Sequence, residues 1–305
     1  GEARAYLLET LEATLELLDK AAETDAGLYF YRVALAHEDL RCEQWMVMAQ
    51  TLGLPLPAKA EVLCELPVAP SPREPLLLPA TKWQLGARSS GFVLAQETGT
   101  LTIDVPEFEI DAQAVTWSQY LEFVDDDGYD REALWSVDGW LWLARQAIQG
   151  RRGPRHIEQI SVARSGTGTG GAALQSRFGR LVRLAGQQAA VHVSWWEADA
   201  WARWAGRRLA TEVEWEIACH TASGRGFRWG EVHEWTAGML RPWSGFRADP
   251  WSEGGVFDPQ PAFGQARVLR GASFATPARL ASPQRRGFAW PGSDAGFLGF
   301  RTCAA

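Results

Sequence analysis

The sequence predicts an α+β fold, and three observations predict it. An N-terminal segment has helical periodicity, with Leu7, Leu8, Leu11, Leu15 and Leu18 in one run and a second apolar run from about Tyr29 to Leu52, ended by Gly53 and Pro55. Further on, three short helices are announced by the same start signal: Thr116 with Gln119, Ser194 with Glu197, and Thr211 with Glu214. In such a capping box the hydroxyl accepts one orphan helix N–H, and the residue three positions on takes the N–H of the cap itself. Between these helices lie short strand-like runs and long stretches without period. The 16 tryptophans supply core volume that so little regular structure does not.

Taken in order, residues 1–54 read as two antiparallel helices. Two helices cannot bury both apolar stripes alone, so they need partners in further helices or in a second domain. The chain opens on Gly1 with residues that already read as mid-domain helix, which predicts a piece of a longer protein. Seven prolines between Pro55 and Pro79 favour extended chain and exclude a long helix, so this segment reads as a linker. Trp83–Gly86 and Leu101–Asp111 read as strands. His156–Gly171, ending in RSGTGTGG, carries no strand or helix signal and reads as a flexible loop. Its glycines lack the Lys and Ser or Thr of a phosphate loop. Val191–Glu216 then gives helix, turn, short basic strand and helix.

Composition narrows the function. A length of 305 residues with 46% hydrophobic content suits two soluble domains. A net charge of -7 argues against a nucleic-acid groove, and the arginines clustered at 151–155 and 203–208 read as solvated faces. No run of eighteen apolar residues and no charged-then-apolar leader is present, so neither a membrane partner nor a signal peptide is expected, and the expected location is cytoplasmic. Cys42, Cys64, Cys219 and Cys303 are scattered without C-x-x-C spacing and are expected to be free thiols.

The Val191–Glu216 block, VLRGASFAT (Val268–Thr276) and GFRTCAA (Gly299–Ala305), in this order, resemble the formylglycine-generating-enzyme fold. A narrower resemblance covers nearly the whole chain. HEDLRCE in the helical segment, the proline-rich link, FVDDDGYDREALWSVDGWLWL and FRWGEVHEWTAG are similar to the iron-dependent synthases that join sulfur or selenium to hercynine, with several phrases closer to selenoneine synthases than to ergothioneine sulfoxide synthases. The resemblance implies a partial DinB-like helical bundle (1–54), a linker (55–79) and a C-type-lectin-like formylglycine-enzyme domain with much irregular structure (80–305). It also implies an Fe(II)- and O2-dependent enzyme that forms a C–Se or C–S bond on hercynine, with a selenosugar or a thiol as second substrate. The alternative is a metal-free, non-catalytic binding protein of the same fold.

Carried onto this sequence, the family's H-x-x-x-H iron motif matches His37 at its first position and meets Arg41 at its second. A guanidinium has no lone pair for a metal and repels the cation. The third histidine of the family would precede Gly1. Glu43 is a further candidate ligand beside His37, although i and i+6 lie on opposed helix faces. The other reading of His37 is a helix histidine pairing with Glu38 or Glu43. Formylglycine-generating enzymes bind copper through two cysteines after the R-G-G-S-type motif, and ATPARLASPQRRG has none, which disfavours sulfatase-cysteine oxidation. Cys303 reads as a buried structural thiol. EVHEWTAG corresponds to the family's G-N-V-W-E-W-T, so Glu231 and Glu234 are candidate calcium ligands, with backbone amides as the other partners open to Glu234, and His233 stands where tryptophan is usual. The substrate loop is expected in SPQRRGFAWPGSDAGF, where relatives read R-Y-R-N-F. Arg285, Arg286, Phe288 and Trp290 are the candidate substrate contacts, Arg286 for a carboxylate and Trp290, with Trp83, for a trimethylammonium group. Core packing is the other reading of both tryptophans. The tyrosine of that loop is lost, and Tyr129 is no obvious substitute. Arg270 and Arg301 read as buried, fold-holding ion pairs.

Overall fold

Two long helices open the chain: α1 (Glu2–Asp19) and α2 (Asp25–Leu52). The computed structural model describes residues 1–63, 65–68, 73–86, 93–161, 172–255 and 257–305. Thr24 caps α2 through the N–H of Gly27 at 3.1 Å, and Gly53 ends it in the left-handed conformation (φ 64°) that a side chain disfavours. α1 buries no residue, so its leucine stripe stays exposed, whereas α2 buries Ala36, Asp39, Leu40, Glu43 and Gln50 against the rest of the molecule. The helices therefore find their cover unequally: α2 docks on the second part of the chain and α1 does not.

The remaining helices are α3 (Ala58–Leu63), α4 (Trp117–Asp125), α5 (Val137–Ile148), α6 (Trp195–Trp204) and α7 (Glu212–Thr221). The strands are β1 (Leu76–Leu78), β2 (Thr81–Leu85), β3 (Leu101–Val105), β4 (Phe108–Ile110), β5 (Ile157–Ser161), β6 (Ala172–Arg177), β7 (Arg180–Arg183), β8 (Arg207–Leu209), β9 (His233–Met239), β10 (Arg267–Arg270), β11 (Arg286–Ala289), β12 (Leu298–Phe300) and β13 (Thr302–Ala304). They form four sheets, ordered β1-β4-β13-β8, β11-β10-β9-β12, β2-β3 and β5-β6-β7. All pairings are antiparallel except β12 with β9. This is an α+β architecture with much irregular chain.

Local signals place the elements closely. All three capping boxes form, with the Ser194 N–H donating to Glu197 at 2.8 Å, that of Thr211 to Glu214 at 2.8 Å and that of Thr116 to Gln119 at 2.9 Å. The expected strand 101–111 is cut in two, because Pro106 has no N–H for a ladder. Two segments depart from expectation. The proline-rich stretch holds the short helix α3 and the strand β1, which pairs with β4, and His156–Gly171 begins with β5 rather than loop. Cys64 and the GTGTGG run lie outside the described residues. Cys42, Cys219 and Cys303 are free thiols.

Trp117, Trp215 and Trp235 are among the largest fully buried side chains. Burial of an indole is tolerated where its N–H finds an acceptor: Trp235 donates to the Val193 carbonyl at 2.8 Å and Trp215 to Glu234 at 2.9 Å. Helix α7 adds three carboxylates that each hold an arginine: Glu212 with Arg286, Glu214 with Arg208 and Glu216 with Arg270. Arg270 and Arg301 are indeed enclosed ion-pair residues, the latter held by Glu234. Among the described residues no helix is long and apolar enough to cross a membrane.

Candidate functional site

The face of α2 that carries Leu40, Glu43, Gln44 and Val47 closes a cleft of ≈ 480 Å³, whose opposite wall includes His233, Arg285 and Phe288. The C-terminal end of α2 is fixed onto the β6–β7 hairpin. Gln50 donates to the Ser176 carbonyl at 2.8 Å and accepts from the Phe178 N–H at 2.9 Å. Gly179 sits so near Gly53 that a Cβ there would lie 2.3 Å from the Gly53 carbonyl oxygen. Nearer the cleft, Arg279 grips the buried carboxylate of Asp39 with two N–H donors at 2.9 and 2.7 Å.

Glu43 is the hub of the cleft. Its Oε1 lies 2.6 Å from Nε2 of His233 and accepts from the Ser273 hydroxyl at 2.7 Å and the Thr276 hydroxyl at 3.0 Å, while Oε2 accepts from Arg285 at 3.3 Å. Burial pushes this carboxyl upward, but His233 and Arg285 together outweigh it and hold the group well below the usual carboxylate range. The residues come from three distant parts of the chain: α2, the first position of β9, and the 273–285 segment between β10 and β11.

The candidate metal residues are not brought together. His37 lies 3.4 Å from Glu38 and packs edge-on against Trp251 and Phe257, whereas Glu43 is consumed by His233, Ser273, Thr276 and Arg285. The His37–Glu43 pair expected as a partial iron site is therefore corrected: the helix turns the two side chains to different partners. Among the described residues no group of three His, Cys, Asp or Glu converges to hold a metal. With Arg41 one turn from His37, the residues present do not fit a three-ligand ferrous centre. The calcium reading of Glu234 is corrected as well. Both its oxygens are taken, Oε2 by Arg301 Nε and the Trp215 N–H and Oε1 by Arg301 Nη2, in a site closed to solvent. Glu231 faces Arg228 at 3.4 Å, so its carboxylate already has a counter-charge within the protein.

The substrate candidates divide. Arg285 and Phe288 line the cleft. Arg286 does not: it is fully buried, donates two N–H bonds to Glu212 at 2.8 and 3.1 Å, and stacks 4.2 Å from the Trp243 ring, so its assignment to a substrate carboxylate is corrected. Trp290 is exposed and is not among the cleft-lining residues, and Trp83 donates to Glu216 at 3.0 Å. Tyr129 is enclosed away from the cleft, donating to Glu197 at 2.7 Å and bonded to the Tyr120 hydroxyl at 2.8 Å, and burial raises its pKa well above the usual phenol value.

Several residues at the site carried no expectation. His233, Ser273 and Thr276 meet Glu43 across more than half of the chain, and the only sequence signal was histidine in a tryptophan position. Asp294, at the other end of the cleft, is buried between Arg151 and Arg155. Beside it His156 and His192 stand with ring centroids 4.8 Å apart, both in left-handed backbone (φ 67° and 65°). Burial pushes His192 down to about 3, and burial with the Arg155 guanidinium pushes His156 down to about 4.

Capped helices, small sheets and buried arginines of this kind define a formylglycine-enzyme-type domain, here joined to a docked helix that walls a cleft. The chain belongs to the sulfatase-modifying factor enzyme 1-like domain family, whose model matches residues 62–231 and 228–305. It is similar to the hercynine oxygenase of Mycolicibacterium smegmatis, at 29% identity over 351 residues covering 95% of this chain and 75% of that protein. The hercynine oxygenase of Mycobacterium tuberculosis is likewise 29% identical, over 99% of this chain and 77% of its own length. The formylglycine-generating enzyme of Streptomyces coelicolor is 28% identical over 77% of this chain and 90% of its own. Among solved structures, PvdO from Pseudomonas aeruginosa matches with a TM-score of 0.43 and 13% identity, covering 77% of this chain and 99% of that one.

Proposed function

We propose that the chain acts on hercynine as an O2-dependent oxygenase in the cytoplasm, taking its substrate in the cleft under α2. The reaction class is C–S or C–Se bond formation with a thiol or a selenosugar as second substrate. The observation that carries this reading is the 29% identity, over 95% of the chain, to a protein named hercynine oxygenase. In this reading residues 1–54 are the DinB-like part, 55–79 the link and 80–305 the formylglycine-enzyme-like part. The cleft chemistry suits the substrate: Phe257 offers an aromatic ring to a trimethylammonium group, and Arg285 offers a guanidinium to a carboxylate.

The resemblance implies Fe(II), and the residues present do not fit it, so no step is assigned to a metal. That mismatch, above all Arg41 beside His37, favours a second reading in which the chain binds hercynine without turnover. One experiment decides between the two. Hercynine binding is measured by calorimetry on the full chain, then iron content and O2 uptake after anaerobic Fe(II) loading, with cysteine or a selenosugar supplied. Hercynine-dependent O2 uptake supports the oxygenase, and the donor that gives product separates sulfur from selenium chemistry. Binding with less than about a tenth of an equivalent of iron, where three ligands are the usual need, supports the second reading. No hercynine binding overturns both.

A further inference from the structure

A second concavity, of ≈ 540 Å³, shares no lining residue with the cleft under α2. Its wall carries four arginines, Arg203, Arg207, Arg208 and Arg267, against two carboxylates, Asp199 and Glu214. Most of these charges are matched. Arg208 forks onto Glu214 at 2.9 and 2.6 Å, and Arg207 turns to Glu109 and Asp111 outside the wall. Arg203 donates Nε–H to Asp199 at 3.1 Å, while its two Nη groups have no partner among the described residues.

Arg267 is the guanidinium left over. No carboxylate among the described residues pairs with it directly, and Asp199, the one whose charge acts on it, is already held by Arg203. Burial pushes its guanidinium below the usual arginine value, and Asp199 restores only part of that. A half-buried charge without a counter-ion costs free energy that an indole offsets in part. The indole is Trp195, whose ring centre lies 3.7 Å from the guanidinium carbon and whose N–H is anchored on the Thr236 carbonyl at 2.9 Å. Arg267 Nη1 donates to the Ala237 carbonyl at 2.8 Å, so the plane and direction of the fork are fixed before any ligand arrives. Its Nε is enclosed. Nη2 is neither bonded nor enclosed among the described residues and is the end that the cavity reaches.

We propose that this concavity binds the phosphate group of a small phosphorylated ligand, held between Arg267 Nη2 and the Nη groups of Arg203. Asp199 stays paired to Arg203 through Nε, which leaves both Nη groups for the ligand. The two guanidiniums come from separate elements, the first position of β10 and the last turn of α6. A planar carboxylate is satisfied by the two parallel N–H groups of one fork, whereas a tetrahedral oxyanion takes donors from both. The volume leaves room for a small organic group beyond the anion.

The test is calorimetry on the full chain at neutral pH and constant ionic strength, with glycerol 2-phosphate as the probe. A Kd below about 1 mM is expected, with acetate at least about tenfold weaker because it engages one fork. Arg203→Gln, at a side chain 49% exposed, and Arg267→Gln are each expected to weaken binding by about tenfold or more, the effect of losing one charge-assisted bond. Arg145→Gln, at an exposed arginine of α5 that does not line the concavity, is expected to change it by less than about twofold. Saturating hercynine is expected to leave the affinity unchanged. No saturable binding up to about 10 mM, acetate binding as tightly, inorganic phosphate binding more tightly than the monoester, an equal loss in Arg145→Gln, or displacement by hercynine overturns the proposal. Arg203→Gln carries the test if Arg267→Gln does not fold.

Discussion

Replacing Arg301 by methionine tests whether Glu234 serves the fold or a cation. The Arg301 side chain is closed to solvent, its Nε and Nη2 hold both oxygens of Glu234, its Nη1 donates to the Asp111 carbonyl at 2.9 Å, and its guanidinium lies 3.9 Å from the Phe227 ring centre. Arg301→Met leaves a buried carboxylate whose remaining donor is the Trp215 N–H at 2.9 Å. Breaking one side of such a pair costs about 3–5 kcal/mol, because the surviving charge stays desolvated. At about 2–4 °C per kcal/mol for a domain of this size, the midpoint is expected to fall by about 6–20 °C. The double variant Glu234→Met/Arg301→Met removes both charges and is expected to recover at least about 2 kcal/mol of the single loss. Scanning calorimetry with chelator and with millimolar calcium completes the test, since a cation at a hundred times its dissociation constant would stabilise by about 2.7 kcal/mol. A calcium-dependent rise in the wild type that Glu234→Gln abolishes, or a single variant that costs under about 1 kcal/mol, refutes the ion-pair reasoning.

The His156–His192 pair makes stability depend on pH in a predictable direction. Both folded values are depressed, to about 4 and about 3, so the neutral forms favoured by the fold contribute stability that is complete above the ordinary imidazole pKa of about 6.5 and is lost as pH falls below it. The melting temperature is expected to decline from pH 6.5 towards pH 4, and His192→Asn, which tolerates the left-handed backbone, to flatten that decline; an unchanged slope would count against the assignment. Gln50→Leu removes two hydrogen bonds and leaves the Phe178 N–H unpaired, for about 1–3 kcal/mol. Hydrogen exchange should then rise in the C-terminal half of α2 and in the β6–β7 hairpin, and a rise spread evenly over the chain would contradict local docking. Arg41→His places a second imidazole one turn from His37, and zinc affinity measured by calorimetry is expected to increase by more than about tenfold, the least that even a ligand's supporting partner contributes. No increase would mean that the packing of His37 against Trp251 and Phe257 keeps its ring from turning to that face.

What could be read in the sequence is what is written locally. Ser194 and Glu197 lie three residues apart and need only a helix start to meet, so the cap is legible without knowledge of the fold. The same holds for Gly53 at the end of α2. The cleft depends on another kind of relation. Glu43 and His233 come within 2.6 Å only because α2 docks across β9, and no periodicity links positions so far apart. Arg285 and Arg286 are identical in type and adjacent in sequence. Yet side chains one residue apart at a strand face opposite ways, so one lines the cleft beside Glu43 and the other is buried on Glu212 at the start of α7. Which arginine meets a ligand is thus decided by strand phase, set by the pairing of β11 with β10 (Arg286 opposite Arg270, Phe288 opposite Val268). A shift of that register by one residue would exchange the two roles, turning Arg285 into the core and Arg286 towards Glu43. It would also leave Glu212 without its guanidinium. The buried Arg286–Glu212 pair therefore has a functional consequence although it touches no ligand: it fixes the register that presents Arg285 to Glu43 in the cleft.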